Sequence, residues 1–247
     1  LRLCRSHSLH LAARRSSIDK FDAIIVDEGQ DILNMESLSK LDMYLKDGLE
    51  KGRWCFFHDV NNQSGLCGAY VPDAYEYLRS FSPTKIPLRT NCRNSLPILN
   101  RIQSALQADM GNSGVGDGPS VRESFASDRQ EAIQLIEHEL ETLTEKEGFV
   151  YGDIVILSQL PFVDSLASSL SPRWQKTISV LDGASPLNST RQSIGFAQIP
   201  DFKGLESEAI VLIDLPTPGS RADLRSLHYV GMSRARAVLS IIPAVIA

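Results

Sequence analysis

Phe21-Asp-Ala-Ile-Ile-Val-Asp-Glu-Gly-Gln-Asp31 is the stretch on which the reading of this chain turns. Its four apolar residues, Ala23 to Val26, run without polar alternation, the pattern of a strand covered on both faces. The run stops at Asp27 and Glu28, two acids at the carboxyl end of a strand, where open α/β sheets bind their ligands. An aspartate there can hold Mg²⁺ directly or through water, and a glutamate beside it can orient or deprotonate an attacking water. A solvated turn, with Asp31 capping the next helix, accounts for the same letters. Gln30 and Asp31 sharpen the first reading, and the rest of the chain has to decide between them.

Further apolar, β-rich runs lie at Trp54–His58, Ile154–Leu157, Ile194–Ile199, Ala209–Asp214 and Val238–Ile242. Helical patterns cover Met35–Leu49, Ser95–Gln107, Asp128–Glu145 and Asp223–Arg236. This alternation predicts an α/β fold with parallel sheets flanked by helices. In the third helix, Ser127 and Gln130 have capping-box spacing. Ala132, Leu135, Ile136, Leu140 and Leu143 form its apolar stripe, and Gly148 is its stop signal. The acidic run beside it, Glu137 to Glu147, reads as a solvated face. Gly111 to Ser120 holds four glycines and a proline but lacks the Lys-Ser/Thr ending of a phosphate loop and a strand before it. It reads as a mobile surface loop. A break near Pro83 to Pro87 divides the chain into residues 1–86 and 87–247.

With 247 residues, 43% apolar and 22% charged, the chain has room for one large domain or two small ones. A formal charge of -5 gives no global basic field for nucleic acid and leaves only local contacts in a cleft. Cys4, Cys55, Cys67 and Cys92 form no C-x-x-C pair, which argues against zinc and for reduced thiols in a cytoplasmic protein. No run reaches the ~18 apolar residues of a membrane helix. The first residue is Leu, as in a chain cut from something longer. Residues 1–18, with four arginines and no acid, have the composition of a transit peptide, but read more simply as a connecting segment.

Four later segments add chemistry. Trp54-Cys-Phe-Phe-His-Asp59 leads into Asn61-Asn-Gln63, placing an acid and an amide at a second strand end. Leu88-Arg-Thr-Asn-Cys-Arg93 stands at the boundary. Asp201-Phe-Lys-Gly-Leu-Glu206 joins two strands, with Gly204 permitting a tight backbone. His228-Tyr-Val-Gly-Met-Ser-Arg-Ala-Arg236 closes a helix with two arginines. A guanidinium that reaches a nucleotide stabilises charge on the transferring phosphoryl group, worth ~10³–10⁵ in rate in well-studied NTPases. For one arginine alone, a surface ion pair is the simpler account.

Taken in order, the five segments resemble the UvrD/Rep-like group of superfamily 1 DNA helicases. Asp27-Glu-Gly-Gln-Asp31 is similar to motif II (D-E-x-Q-D) and His58 to Gln63 to motif III. Leu88 to Arg93 resembles motif IV (L-x-x-N-Y-R), Lys203-Gly-Leu-Glu206 motif V, and Tyr229 to Ala235 motif VI (Y-V-A-x-T-R-A). The resemblance implies a P-loop NTPase of two RecA-like domains, the first partial, with ATP between them and single-stranded DNA across their tops. It assigns Mg²⁺ to Asp27 and activation of the hydrolytic water to Glu28. Gln30, Asp59, Gln63, Lys203 and Gly204 become nucleotide-binding, with Gln63 on the γ-phosphate. Arg93 and Arg234 reach the phosphates, and Glu206 holds the ribose. Cleft closure on ATP and its reversal after hydrolysis would drive stepping.

The sequence departs from that pattern in several places. No G-x-x-x-x-G-K-[ST] is present, so the phosphate cradle lies upstream of Leu1 or is missing, and residues 1–247 alone are expected to be inactive on ATP. His58 replaces the usual glycine, Leu66 aligns with the base-stacking aromatic while Tyr70 lies close by, and Pro200 replaces a histidine. Only ~110 residues separate Arg93 from Lys203, too few for the family's large helical insertion. That points to a translocase, or a motor in a nuclease-linked system. The competing reading is a non-catalytic helicase-like scaffold; an unrelated α/β nuclease explains motif II but not the later arginines. RNA stays open as an alternative strand.

Overall fold

The structure, a computed structural model, describes residues 20–59, 71–181, 192–219 and 221–244. The chain forms two compact units, Leu1–Pro87 and Leu88–Ala247.

In the first unit, β1 (Ala23–Val26) pairs in parallel with β2 (Arg53–Phe56), Ala23 opposite Arg53 and Val26 opposite Phe56. Alternation sends Ile24, Val26, Trp54 and Phe56 onto Leu38 and Leu41 of α1 (Met35–Tyr44). Ile25 faces the other way and is 74% exposed. Among the described residues, β1 is covered on one face only. Asn34, not Asp31, caps α1, its side chain accepting from the Ser37 N–H at 2.9 Å. The single helix expected over Met35–Leu49 is two. Leu45 turns extended, Asp47 and Gly48 take left-handed backbone, and a second short helix, α2 (Gly48–Lys51), follows. Asp47-Gly48 is a turn dipeptide lying inside an apolar pattern that otherwise reads as one helix. α3 (Pro72–Ser80) closes this core through Ala74 and Leu78.

The second unit carries a six-stranded, all-parallel sheet. In chain order its strands are β5 (Arg122–Glu123), β6 (Ile154–Ser158), β7 (Ile178–Val180), β8 (Ile194–Gln198), β9 (Ser207–Ile213) and β10 (Ala235–Ile242). They lie side by side as β5-β10-β9-β6-β8-β7. The inner strands are buried on both faces, as their unbroken apolar runs predict. One face packs α5 (Arg129–Glu141) through Ala132, Ile136 and Leu140 against Ile156 and Val211. The opposite face receives α7 (Ala222–Ser233), where a Cβ on Gly231 would lie 2.8 Å from Leu212. Here the glycine lets helix and strand approach closely. The capping box of α5 is offset by one residue from its predicted place. Asp128 accepts from the Glu131 N–H at 2.8 Å, and Glu131 accepts from the Ser127 N–H at 2.7 Å. The helix stripe also runs on past Glu141 into a wider turn, Thr142–Lys146, and a short helix, α6 (Pro172–Gln175), precedes β7.

The glycine-rich run is less free than a surface loop. Asn112–Ser113 forms β4, pairing in parallel with β3 (Thr90–Asn91). Gly111 has φ +69°, and a Cβ there would lie 2.2 Å from the Arg89 carbonyl oxygen. The Gly116 carbonyl accepts from the Leu96 N–H at the start of α4 (Leu96–Leu106).

Two buried ionisable groups give the second unit a pH dependence. His228 on α7 is 3% exposed, and its Nε2 lies 2.8 Å from the Pro216 carbonyl, which only accepts, so Nε2 carries the proton. Burial holds this imidazole below the ordinary histidine range. Below about pH 6.5 the unfolded chain therefore takes up a proton that the folded chain refuses, and stability falls with acidification. Asp214 acts in the opposite sense: burial raises its carboxyl, so its contribution favours the folded state in acid and is lost as pH rises through the folded value. Urea unfolding at pH 7.5 and 5.5 is expected to show a stability loss in acid that His228→Gln reduces. Equal losses in both proteins would contradict this assignment.

Candidate functional site

At the end of β1 the backbone is forced into an unusual path. Glu28 has φ 52° and ψ 43°, a left-handed conformation that a non-glycine residue adopts only when its surroundings impose it. The imposition comes from Gly29, whose N–H donates to the Phe57 carbonyl at 2.7 Å while the Phe57 N–H donates to Val26 at 2.8 Å. A Cβ on Gly29 would sit 3.0 Å from the Phe56 ring and 3.2 Å from the Phe57 oxygen. Glycine between Glu28 and Gln30 thus lets the turn dock on the end of β2. Gln30, 2% exposed, ties the turn to the strand end beside it: its Nε2 donates to Glu28 Oε2, and its Oε1 accepts from the Asp59 N–H at 3.0 Å. Asp27 is exposed, and its Oδ1 accepts from the Glu28 N–H at 3.0 Å. Within this unit, then, Glu28, Gln30 and Asp59 form one connected group. Gln63, Leu66 and Tyr70 lie outside the described residues.

In the second unit three segments far apart in sequence converge at the amino ends of β9 and β10. Arg93 Nε donates to Glu206 Oε2 at 2.7 Å, across 113 residues of chain. Asn91 shapes the turn that presents Arg93, its Oδ1 accepting from the N–H groups of Arg93 and Asn94 at 3.0 and 2.9 Å. Asn94 is 1% exposed, and its Nδ2 donates to the carbonyls of Ser233 and Ala235 at 3.1 and 2.6 Å. Its Oδ1 accepts from Asn91 at 3.0 Å, so one amide ties the Arg93 turn to the junction of α7 and β10. Gly204 has φ +83°, with open space where a Cβ would be, which allows the tight link before Glu206. Lys203 is half-buried beside it.

The two arginines of the last motif part company. The helix expected to reach Arg236 ends at Ser233, and β10 begins at Ala235 with a register shift between Ala235 and Val238. Arg234, at the helix end, is 3% exposed and donates to the carbonyls of Val230 and Leu205 at 3.2 and 3.4 Å and to Ser233 Oγ at 2.9 Å. Arg236, in the irregular part of the strand, is half-exposed and ion-paired to Glu208 at 2.7 Å. Nothing in the sequence sets Asn94 apart, or separates Arg236 from Arg234. Asn94 is an ordinary polar residue ahead of a helix, and helical periodicity places Arg236 on α7 with Arg234.

Solved structures similar to this chain include helicases. The C-terminal domain of a possible DNA helicase from Lactobacillus plantarum WCFS1 is 15% identical, covers 62% of this chain and 88% of its own, and has a TM-score of 0.48. The arterivirus nonstructural protein 10 helicase in complex with DNA is 14% identical, with a TM-score of 0.48. That match covers 90% of this chain and 40% of the viral one. A second structure of the arterivirus helicase is 12% identical, covers 92% and 40% of the two chains, and has a TM-score of 0.47. The chain thus spans about two fifths of the arterivirus helicase. No protein-family model matches the sequence, and no curated protein matches it.

Among the described residues no helix is long and apolar enough to cross a membrane, and no group of three or more His, Cys, Asp or Glu could hold a metal ion by itself. An exposed strand-end carboxylate such as Asp27 suits Mg²⁺ in a different way. That ion keeps several waters and is held by one or two carboxylates together with substrate phosphates.

Proposed function

We propose that this chain is part of an ATP-dependent DNA motor of the superfamily 1 helicase kind, of the UvrD/Rep-like group. It would couple hydrolysis to movement on single-stranded DNA. The observation that carries the reading is the meeting of Arg93, Glu206 and the Arg234 segment at one end of the second unit's sheet, three motifs ordered in sequence as in those helicases. The constrained Glu28 turn supports it from the first unit. The units correspond in this reading to a partial first and a second RecA-like domain.

Asp27 would hold the magnesium of Mg-ATP, which neutralises phosphate charge when bound. Glu28 Oε2 is aimed by Gln30 and takes a proton from the attacking water. Gln30 also holds the Asp59 backbone, so one buried amide links the Glu28 carboxylate to the chain leaving β2. Arg93 supplies positive charge to the phosphates and Glu206 accepts from ribose hydroxyls. Arg234, buried among carbonyls, keeps the α7–β10 junction in shape for them.

The natural gene product containing residues 1–247 is expected to hydrolyse ATP faster when single-stranded DNA is added, whereas residues 1–247 alone are expected to hydrolyse none. DNA binding without any hydrolysis by the gene product would replace the motor with a helicase-like scaffold. Hydrolysis by residues 1–247 alone would show that no separate phosphate cradle is needed.

A further inference from the structure

Arg236 has no counterpart in the motif that Tyr229 to Ala235 resembles, yet it is the arginine of that region that opens to solvent. Its Nη1 lies 2.7 Å from Glu208 and its Nε 3.6 Å from Glu206 Oε1. The other oxygen of Glu206 accepts from Arg93 at 2.7 Å. One carboxylate therefore sits between two guanidiniums, whose side chains are 37% (Arg93) and 50% (Arg236) exposed. Both arginines line a cavity of about 220 Å³, together with Ser95, Glu208, and Asp117 and Gly118 of the glycine-rich run. The run thus forms a wall beside the arginines.

The donor set of this cavity is mixed. Its guanidiniums match phosphate oxygens in a planar, two-pronged way, and its carboxylates match hydroxyl or amino hydrogens. A nucleoside polyphosphate offers both, and its polyphosphate part alone can still meet the two guanidiniums. The volume is below the roughly 300–1,000 Å³ of sites that enclose whole drug-sized ligands. It has room for only part of a nucleotide.

We propose that Arg236 is a second phosphate-contacting arginine working beside Arg93, and that Glu206 and Glu208 hold the two in place until a nucleotide takes over as their partner. This rests on the nucleotide reading above and extends it to a residue outside the motif. The exchange is easy in physical terms. Half-exposed guanidinium–carboxylate pairs contribute little to stability, and guanidinium–phosphate contacts are charge-assisted and two-pronged. The carboxylates, once relieved of the arginines, become acceptors for sugar hydroxyls.

Opposite charge changes test the idea with opposite signs. Binding of inorganic tripolyphosphate and of Mg-ATP to residues 1–247 would be followed by the arginine Nε–H signals in ¹⁵N NMR, with a thermal midpoint for each variant as a folding control. The wild-type signals of Arg93 and Arg236 are expected to move at millimolar ligand. Arg236→Gln is expected to weaken tripolyphosphate binding roughly tenfold or more, the loss of a charged hydrogen bond. Glu208→Gln, which frees Arg236 from its close partner, is expected to tighten it. A purely structural Arg236–Glu208 pair would make both variants bind alike, and that result, or wild-type signals that do not move, overturns the proposal. If the natural gene product shows DNA-stimulated hydrolysis that Arg236→Gln leaves unchanged in both kcat and KM, this inference fails while the motor reading stands. If tripolyphosphate binds in an Arg236-dependent way but the gene product hydrolyses no ATP, the reverse holds.

Discussion

Glu28→Gln is expected to lower ATP turnover by the natural gene product by roughly 10²–10⁴-fold, the usual contribution of a positioned general base, with little change in KM. Glutamine keeps the shape of the side chain, and its carbonyl oxygen can still accept from Gln30 Nε2, so the turn survives. What disappears is the ability to take a proton. Steady-state rates with saturating DNA read this directly. A fall of only a few fold would return Glu28 to the role of a strained turn residue, held at φ 52° by the docking of Gly29 on the end of β2.

The second large effect is expected at Asn94. Replacement by alanine removes the donor shared by the Ser233 and Ala235 carbonyls and the acceptor for Asn91 in a place that is 1% exposed. Each buried polar group left without its partner costs about 1–3 kcal/mol. Two carbonyls are affected, and a loss of roughly 2–5 kcal/mol on unfolding by urea is expected for Asn94→Ala. Asn94→Asp is expected to be as damaging, because a carboxylate placed against two carbonyl oxygens offers them no hydrogen. A loss below about 1 kcal/mol in both variants, within the range of ordinary surface substitutions and weak hydrogen bonds, would mean that the Arg93 turn and the α7–β10 junction are held together by packing alone. Since the same amide aligns Arg93 with Glu206, partial loss of Asn94 function should also raise KM for nucleotide in the gene product before it unfolds the unit.

How far the sequence can be read depends on whether the physics is local. Ala23–Val26 is bounded correctly at both ends, because an apolar run stopped by two acids needs no tertiary information. The buried strands β6, β8, β9 and β10 are visible for the same reason, although β10 begins three residues before its apolar run. The two- and three-residue strands β3, β4, β5 and β7 are not visible, being too short to carry a period. Thr90-Asn91 and Asn112-Ser113 are polar pairs whose extended form depends on each other.

The candidate site divides along the same line. Carboxylates at strand ends and a glycine before Leu205 and Glu206 can be named from local pattern. That Asn94 bridges two distant carbonyls cannot, since the partners lie 139 and 141 residues away. Arg234 and Arg236 show the limit best. Two residues apart in a helical pattern, they look interchangeable, but the chain passes from helix to strand between them. One guanidinium turns inward to carbonyls and the other reaches a cavity rim. Only the change of secondary structure at Ala235 separates them.

We propose that the carboxylate of Glu28 and the guanidinium of Arg93 act in one and the same ATP hydrolysis. A double-mutant cycle on ATP turnover by the natural gene product tests it most directly, with Glu28→Gln, Arg93→Ala and the pair combined. Groups acting as one catalytic unit are strongly non-additive, so the double variant is predicted to be no slower than the more damaged single variant, within a few fold. Losses that multiply, or an Arg93→Ala protein as fast as wild type, would contradict it.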